Sequence, residues 1–595
     1  MSNEPEITKT YLMSAEPYAR IYDIKDPFEQ AQALANLKAA GDAIGFRTVM
    51  GMWKEYRKSK RGARIYTANV SQFDNQPLEL DTGDWKADDL GVTRESDFGA
   101  QIACVHPIMP VRRLVNVDTG IEKLELAYRK GRGWRRLIAD KRTLASANGI
   151  IALADNGVAV TSESAKALVA YLHDVEHYNY EFLEEVPSVG RLGYIDGEGF
   201  SPYVDGLVFD GDANFRTIFR SVRAEGDRQK WLETIRRVRS DSVTAHIIVA
   251  AAFASVLVQP LGALPFFVHL WGTKSSLGKT VALMAAASVW ADPERGRYCQ
   301  TFNSTVVRHV LFAAFLNSLP LIVDEMQLAR DEKGRTKFNV YQLAEGVGRT
   351  RGNKSGGVQK TPTWGNCIIT CGETPLTGDS AGAGAKNRVI EIECNSELVV
   401  RDGNATSNAL RRNFGHAGRE FVDRLRDAGD KPANLYKEAF RALSASDTTD
   451  KQAMSAALIV AADALAAEWI IGDTPLTVEQ IASFLQTNAA VDVNERAYSF
   501  MCDWVVQNVN KLRGGRDGTE NCGILETDTA YVVRTVFVKA VEDAGYSSAG
   551  LLSWLRDKEL LQCSPHRPGF TVLKSLGGVK AACVAMRIPS DEVPF

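Results

Sequence analysis

The residues with the clearest chemical meaning stand in mid-chain, where the apolar run Phe266–Leu270 leads into Trp271-Gly272-Thr273-Lys274-Ser275-Ser276-Leu277-Gly278-Lys279-Thr280. A strand, a glycine-bounded loop and a helix (Val281 to Trp290) are what a phosphate loop requires. Backbone N–H groups of Gly272, Lys274, Ser275, Ser276, Leu277 and Gly278 would bind phosphate oxygens at the helix N-terminus. Lys279 would neutralise the β/γ charge and the Thr280 hydroxyl would ligate magnesium, so ATP and Mg2+ are the cofactors expected. The spacing departs from the usual pattern. The first glycine should stand five residues before Gly278, where this chain has Thr273; Gly272 comes one place early.

A second group fits the same chemistry. Leu321-Ile322-Val323 is an apolar strand ending in Asp324-Glu325. Asp324 would hold magnesium through water, and Glu325 would polarise the attacking water, which makes the reaction hydrolysis. Cys367-Ile368-Ile369-Thr370 is another buried strand, running into Cys371-Gly372-Glu373; Thr370 and Glu373 are the candidates for sensing the γ-phosphate. Arg388 opens the alternating run Val389–Glu393, where it could reach a neighbouring subunit's nucleotide as an arginine finger.

The elements that must hold these residues divide the chain into five. Residues 1–95 are mostly helical at first, then polar and turn-rich. Residues 96–240 are β-rich, with a hairpin about Thr119-Gly120, and end in a basic segment. Residues 241–400 alternate helix and strand, 401–520 are helical, and 521–595 form the tail. In the tail, Thr529 to Asp543 reads as one helix, Gly545-Tyr546 as a turn, and Leu551, Leu552 and Leu555 as the stripe of a second helix. Strand-like runs at Phe570–Leu573 and Cys583–Ile588 follow. Helix, turn, helix and hairpin is winged-helix order.

The order of phosphate loop, Asp-Glu strand, polar strand tip and arginine resembles the AAA+ ATPases. More narrowly, the chain resembles the MCM-like helicases of cassette-type mobile elements and their phage and plasmid relatives. Ser275-Ser276-x-Gly278-Lys279-Thr280, Val323-Asp324-Glu325, Gly372-Glu373 and Asn387-Arg388-Val389-Ile390 carry the resemblance. Asn116-x-Asp118-Thr119-Gly120, Gly193-Tyr194 and Asn413-Phe414-Gly415-His416-Ala417-Gly418 extend it over about residues 100 to 420. It implies an α/β AAA+ P-loop core preceded by an α+β region and followed by a helical lid and a winged helix. It also implies a homo-hexameric or other ring that drives DNA unwinding or replication initiation with ATP, alongside element-encoded replication proteins. The competing reading is an ATPase that remodels or regulates without unwinding, tethered by its winged helix.

Nucleic acid has several candidate contacts. Gly348 to Lys360 carries Arg349, Arg351, Lys354 and Lys360 with no acid, on a glycine-rich hairpin. In the MCM-like rings that position projects into the channel, where basic groups would grip a single strand. Arg556, Lys558 and Arg567 in the tail could meet duplex phosphates. Trp53 and Tyr56 among Lys54, Arg57, Lys58, Lys60 and Arg61 mix stacking with charge, and Arg129 to Arg136 forms a basic hairpin.

Composition sets the limits. The 595 residues carry 70 basic and 73 acidic side chains, a net charge of -3, which excludes a uniformly basic nucleic-acid coat. Nine scattered cysteines without a C-x-x-C read as reduced core residues, not a disulfide or zinc framework. Met1 to Lys9 has no apolar run, so a cytoplasmic protein without a signal peptide is expected. Ala245 to Leu270 lacks charges, but Pro260, Gly262 and Pro265 break it short of the ~20 residues of a membrane helix. One outcome follows directly: Lys279→Ala should abolish nucleotide binding, read by equilibrium titration with a fluorescent ATP analogue.

Overall fold

The computed structural model describes residues 7–24, 26–59, 69–96, 99–131, 133–301, 306–325, 340–349, 361–377, 383–512, 521–563 and 569–589. The chain separates into two compact units, one made of residues 1–190 and 205–210, the other of residues 191–204 and 211–595.

In the first unit, helices Glu16–Tyr22, Pro27–Ala43 and Val49–Ser59 gather Leu12, Tyr18, Ile21, Val49 and Trp53 into a small core of their own. Trp53 is buried there, stacked on Tyr56 and edge-on to Tyr22, so it is not free to stack on a base. The main core of this unit starts earlier than residue 96. Phe73, Leu80 and Trp85 pack with residues 103–183, beneath a five-stranded sheet and the helix Ala165–Tyr178. The hairpin about Thr119-Gly120 is present, joining Ile108–Asn116 to Glu122–Lys130. Asn116 explains its turn: the side-chain oxygen accepts from the N–H groups of Asp118 and Thr119, while its amide donates to buried Asp210. The basic hairpin beyond is partly neutralised, with Arg129 on Asp89 at 2.5 Å and Arg136 on Glu125 at 3.1 Å.

The second unit is built on a five-stranded, all-parallel sheet. Its strands are β1 (Phe266–Trp271), β2 (Gln300–Thr301), β3 (Leu321–Asp324), β4 (Cys367–Gly372) and β5 (Val389–Glu393), in the spatial order β2-β3-β4-β1-β5. Near-continuous apolar sequence suits strands buried on both faces. Helices α1 (Arg228–Asp241), α2 (Val243–Ala254), α3 (Lys279–Ser288) and α4 (Asp450–Ala466) pack on this layer and on one another. With its π-helical extension, α4 runs from Asp450 to Ile471, long and apolar enough to cross a membrane by length and composition. It is instead mostly buried in the protein and carries a charge at its centre.

That charge is Asp463. Its side chain is fully buried and paired with Arg239 of α1, with His246 Nε2 of α2 at 2.9 Å and with the Leu476 N–H at 2.7 Å. Arg239 also meets Asp473 at 2.7 Å. The network pins three helices together, and each partner satisfies a group that burial would otherwise leave exposed to a low dielectric.

The tail differs from expectation at its start. Thr529–Val533 is a strand, and the helix begins only at Arg534, because Tyr531-Val532-Val533 pairs antiparallel with Val579–Arg587. β-branched and aromatic residues on a half-buried surface favour that pairing. Helix α5 (Val493–Gln507), expected in the helical segment before the tail, shares a core with α6 (Arg534–Asp543) and α7 (Ser548–Asp557). Its N-cap Asp492 accepts from Trp554 Nε1 at 3.0 Å, so the tail domain starts near residue 492. Ser547 caps α7, and a hairpin of Val572–Leu576 and Val579–Arg587 turns at Gly577-Gly578.

Removing one member of the buried ion network should cost about 3–5 kcal/mol. Burial alone would raise the Asp463 pKa, but the His246 hydrogen bond and the Arg239 charge hold it below the ordinary carboxylate value. A depressed folded pKa gives stability that is complete above the unfolded value and lost as pH falls through the folded one. Asp463→Asn should therefore lower the thermal midpoint at neutral pH, and its midpoint should fall less than wild type's on acidification below about pH 4.

Candidate functional site

The site lies at the carboxyl ends of β1, β3 and β4, the edge of an open α/β sheet where ligands bind. The connection from β4 to β5 passes over β1, so the strand order reverses direction at this edge. Residues 272–278 cross this edge and deliver Lys279 and Thr280 to the first turn of α3.

Close packing explains the displaced glycine. A Cβ on Gly272 would come within 2.6 Å of the Cys394 carbonyl oxygen, at the end of β5. Thr273, where the usual glycine would stand, needs no such freedom; its N–H donates to Asn395 Oδ1 at 3.0 Å. Gly278 has φ +90°, and a Cβ there would lie 2.8 Å from the Val400 nitrogen. The loop is thus one residue longer than usual and held down by residues 394–400, with Val399 N–H donating to the Leu277 carbonyl. Lys279 Nζ folds back on the Gly272 and Lys274 carbonyls at 2.5 and 3.2 Å, and Ser276 takes a left-handed φ of 68°.

At the end of β3, Asp324 gathers several partners. Thr280 Oγ1 donates to its Oδ1 at 3.3 Å, Cys371 Sγ at 2.7 Å and the Glu325 N–H at 3.0 Å. Arg295 meets its Oδ2 at 2.5 Å and also touches Glu325 Oε1 at 3.1 Å. Glu325 sits at φ 63°, a conformation costly for a residue with a side chain and one that re-aims it away from the strand. Burial pushes the Cys371 thiol up, keeping it a hydrogen-bond donor. Thr280 and Asp324 together offer hard oxygen donors of the kind Mg2+ takes.

Residues 82–364 match the family described as a domain of unknown function, DUF927, and residues 492–591 match the Cch helix turn helix domain. The chain thus carries a DUF927 domain followed by a Cch-type helix-turn-helix domain. The structure titled "SCCmec type IV Cch - active helicase" shares its fold, with a TM-score of 0.62 and 16% identity over 86% of this chain and 98% of that one. The A form apo structure of the NrS-1 C-terminal region aligns over 80% of this chain and 96% of that one at 12% identity, with a TM-score of 0.29. No curated protein sequence matches the chain.

The sequence candidates fall in separate places. Lys279, Thr280, Asp324 and Glu325 come together. Glu373 is exposed just past the end of β4, at the same edge of the sheet. Thr370 is not at the tip: it is fully buried, two residues short, with its hydroxyl on His269 Nδ1 at 2.7 Å. His269 donates from Nε2 to the Thr374 carbonyl at 3.0 Å, and burial pushes its pKa down to about 4, so it is neutral and holds residues 373–374 against the sheet. Glu391, level with His269 on β5, does the same for Thr377.

Arg388 lies at the opposite end of the sheet. It is level with Phe266, five residues back from Trp271, or about 16 Å along the strand. There it pairs with Glu345 at 2.7 Å beneath the Tyr341 ring. The stem of the glycine-rich hairpin is on that side too. Gly348 N–H donates to Pro362 O and Trp364 N–H to Gly346 O, leaving Arg349 exposed at the stem. Arg351, Lys354 and Lys360 lie outside the described residues, as does Arg567. Arg556 and Lys558 are exposed at the C-terminal end of α7, against Phe570 and Trp554.

The motif Asn413 to Gly418 has a packing role. Gly415 N–H donates to the Ser288 carbonyl and Gly418 N–H to that of Val289, clasping the end of α3, and Asn413 Oδ1 accepts from the Asp227 N–H. Sequence reading missed Arg295 and Cys371 as partners of Asp324. It also passed over His269, a lone polar residue in an apolar strand, which was a usable signal. Gly278→Ala should lower the unfolding free energy by about 1–3 kcal/mol, through strain at positive φ and the clash with Val400, measured by denaturant titration.

Proposed function

We propose that the protein is an ATP-dependent DNA helicase or replication initiator of a mobile element, working as a ring of the AAA+ MCM-like kind. The observation that carries this reading is the division of the chemistry between the two ends of one sheet. Lys279, Thr280, Asp324 and Glu325 stand at the carboxyl end, and Arg388 stands about 16 Å away at the other. An arginine so placed cannot reach its own loop, which supports its assignment to the loop of a neighbour once it leaves Glu345.

In this reading Lys279 leaves the Gly272 and Lys274 carbonyls to meet the β- and γ-phosphates, and the amides at the start of α3 bind their oxygens. Thr280 and Asp324 hold Mg2+, which screens the phosphate charge. Glu325 orients the attacking water and takes up its proton. Glu373 senses the γ-phosphate from the end of β4; buried Thr370 acts on that end through His269. Arg388, released from Glu345, stabilises the transition state in the next subunit. Arg349 and the basic residues 351, 354 and 360 grip single-stranded DNA, while Arg556, Lys558 and Arg567 meet duplex phosphates. The fold shared with a solved helicase and the helix-turn-helix tail support DNA as the substrate.

The test is subunit mixing. Lys279→Ala and Arg388→Ala proteins should each be nearly inactive, Arg388→Ala still binding ATP but turning it over roughly 10³–10⁵-fold more slowly. Mixed together, they should regain part of the ATPase and forked-duplex unwinding activity, because some interfaces then pair an intact loop with an intact arginine. No recovery, despite demonstrated mixing, would overturn the assignment of Arg388 in trans.

A further inference from the structure

Arg295 belongs to no motif, yet its guanidinium bridges the two carboxylates at the centre of the site. It stands in the turn Asp292–Arg297 after α3, where Gly296 at φ 78° and its N–H bond to the Cys299 carbonyl set the backbone. Cys299 leads into β2, whose Thr301 is level with Asp324 on β3, so the turn delivers Arg295 to the carboxyl edge from the side. The Arg295 side chain is 47% exposed, whereas that of Asp324 is 3% exposed.

The partners of Asp324 differ in what they can do. Oδ1 is taken by the Thr280 hydroxyl, the buried Cys371 thiol and the Glu325 N–H; the last two cannot leave without moving the tip of β4 or the main chain. Oδ2 is held by Arg295 alone among the hydrogen bonds and ion pairs of the described residues. A divalent cation drawn to Thr280 and Asp324 therefore meets a positive charge already seated on Oδ2. Being half-exposed on a fixed turn, Arg295 can swing away at little cost. The second cation nearby, Lys279, is engaged by loop carbonyls and does not compete for Asp324.

We infer that Arg295 is a positioning residue that occupies the cation side of Asp324, holds Glu325 beside it before nucleotide binds, and is exchanged for Mg2+ when the metal–nucleotide complex binds. This rests on the nucleotide reading above. It makes the Mg2+ dependence of nucleotide binding, and not affinity for nucleotide itself, the property Arg295 controls.

The experiment titrates Mg2+ into full-length protein with a fluorescent ATP analogue, for wild type, Arg295→Gln and Arg295→Lys, each also measured in EDTA. Losing the half-exposed, charge-assisted pair on Asp324, together with the weaker one on Glu325, should let Arg295→Gln reach half-maximal binding at about three- to tenfold lower Mg2+. Affinity in EDTA should be unchanged, and Arg295→Lys should fall between. If wild type binds in a Mg2+-dependent way and Arg295→Gln needs the same or more Mg2+, the exchange is wrong while the nucleotide reading stands. If wild type binds no nucleotide, both fail. If Arg295→Gln loses binding in EDTA as well, its loop has been disturbed, and the direction of the Arg295→Lys shift decides.

Discussion

Everything at the site depends on the parallel pairing of β1 with β4 on one side and β5 on the other. Parallel strands bring all their carboxyl ends to one edge, so the loop after Trp271, the acids after Val323 and the polar turn after Cys371 meet without a dedicated scaffold. The same pairing sends whatever precedes a strand to the opposite edge, which is where Arg388 and the hairpin stem at 346–349 and 361–364 stand. One constraint thus separates the groups that would hold a nucleotide from those that could act on a neighbour.

Much of this was legible in the sequence because it rests on local patterns. An apolar run followed by Gly-Lys-Thr, and another ending in Asp-Glu, specify strand ends and therefore specify the edge. The early glycine looked like a defect and is a packing solution: the tight spot is at Gly272, beneath Cys394, and residue order alone cannot show which loop residue meets another strand. Thr529–Val533 misled for the opposite reason. Its helical spacing is real, but pairing with a strand more than 40 residues later overrides it. Trp53 beside basic residues matched a stacking surface equally well, and only the packing against Tyr22 and Tyr56 decides.

Arg295 and the Asp463 network were not legible at all. Each joins residues far apart in sequence, with nothing periodic about either. Arg295 sits between a glutamate and a glycine in a polar turn, and Arg239 is one of eight basic residues in the segment 216–239. Asp463 is the more telling case, a fully buried acid in the middle of an apolar helix that length and composition would allow to cross a membrane. Its partners lie on α1 and α2 more than 200 residues upstream. They make the charge a clamp that holds the helical segment to the same unit that carries the sheet.

In the proposed ring, one chain carries two halves of different catalytic sites. ATP turnover per chain, measured across protein concentrations that span assembly, tests it most directly, with the oligomeric state followed in the same samples. Turnover should be close to absent in the monomer and rise as subunits associate, with single-stranded DNA increasing it further. A monomer that hydrolyses ATP at the full rate would contradict the account, because Arg388, at the far end of its own sheet, could then have no part in the reaction.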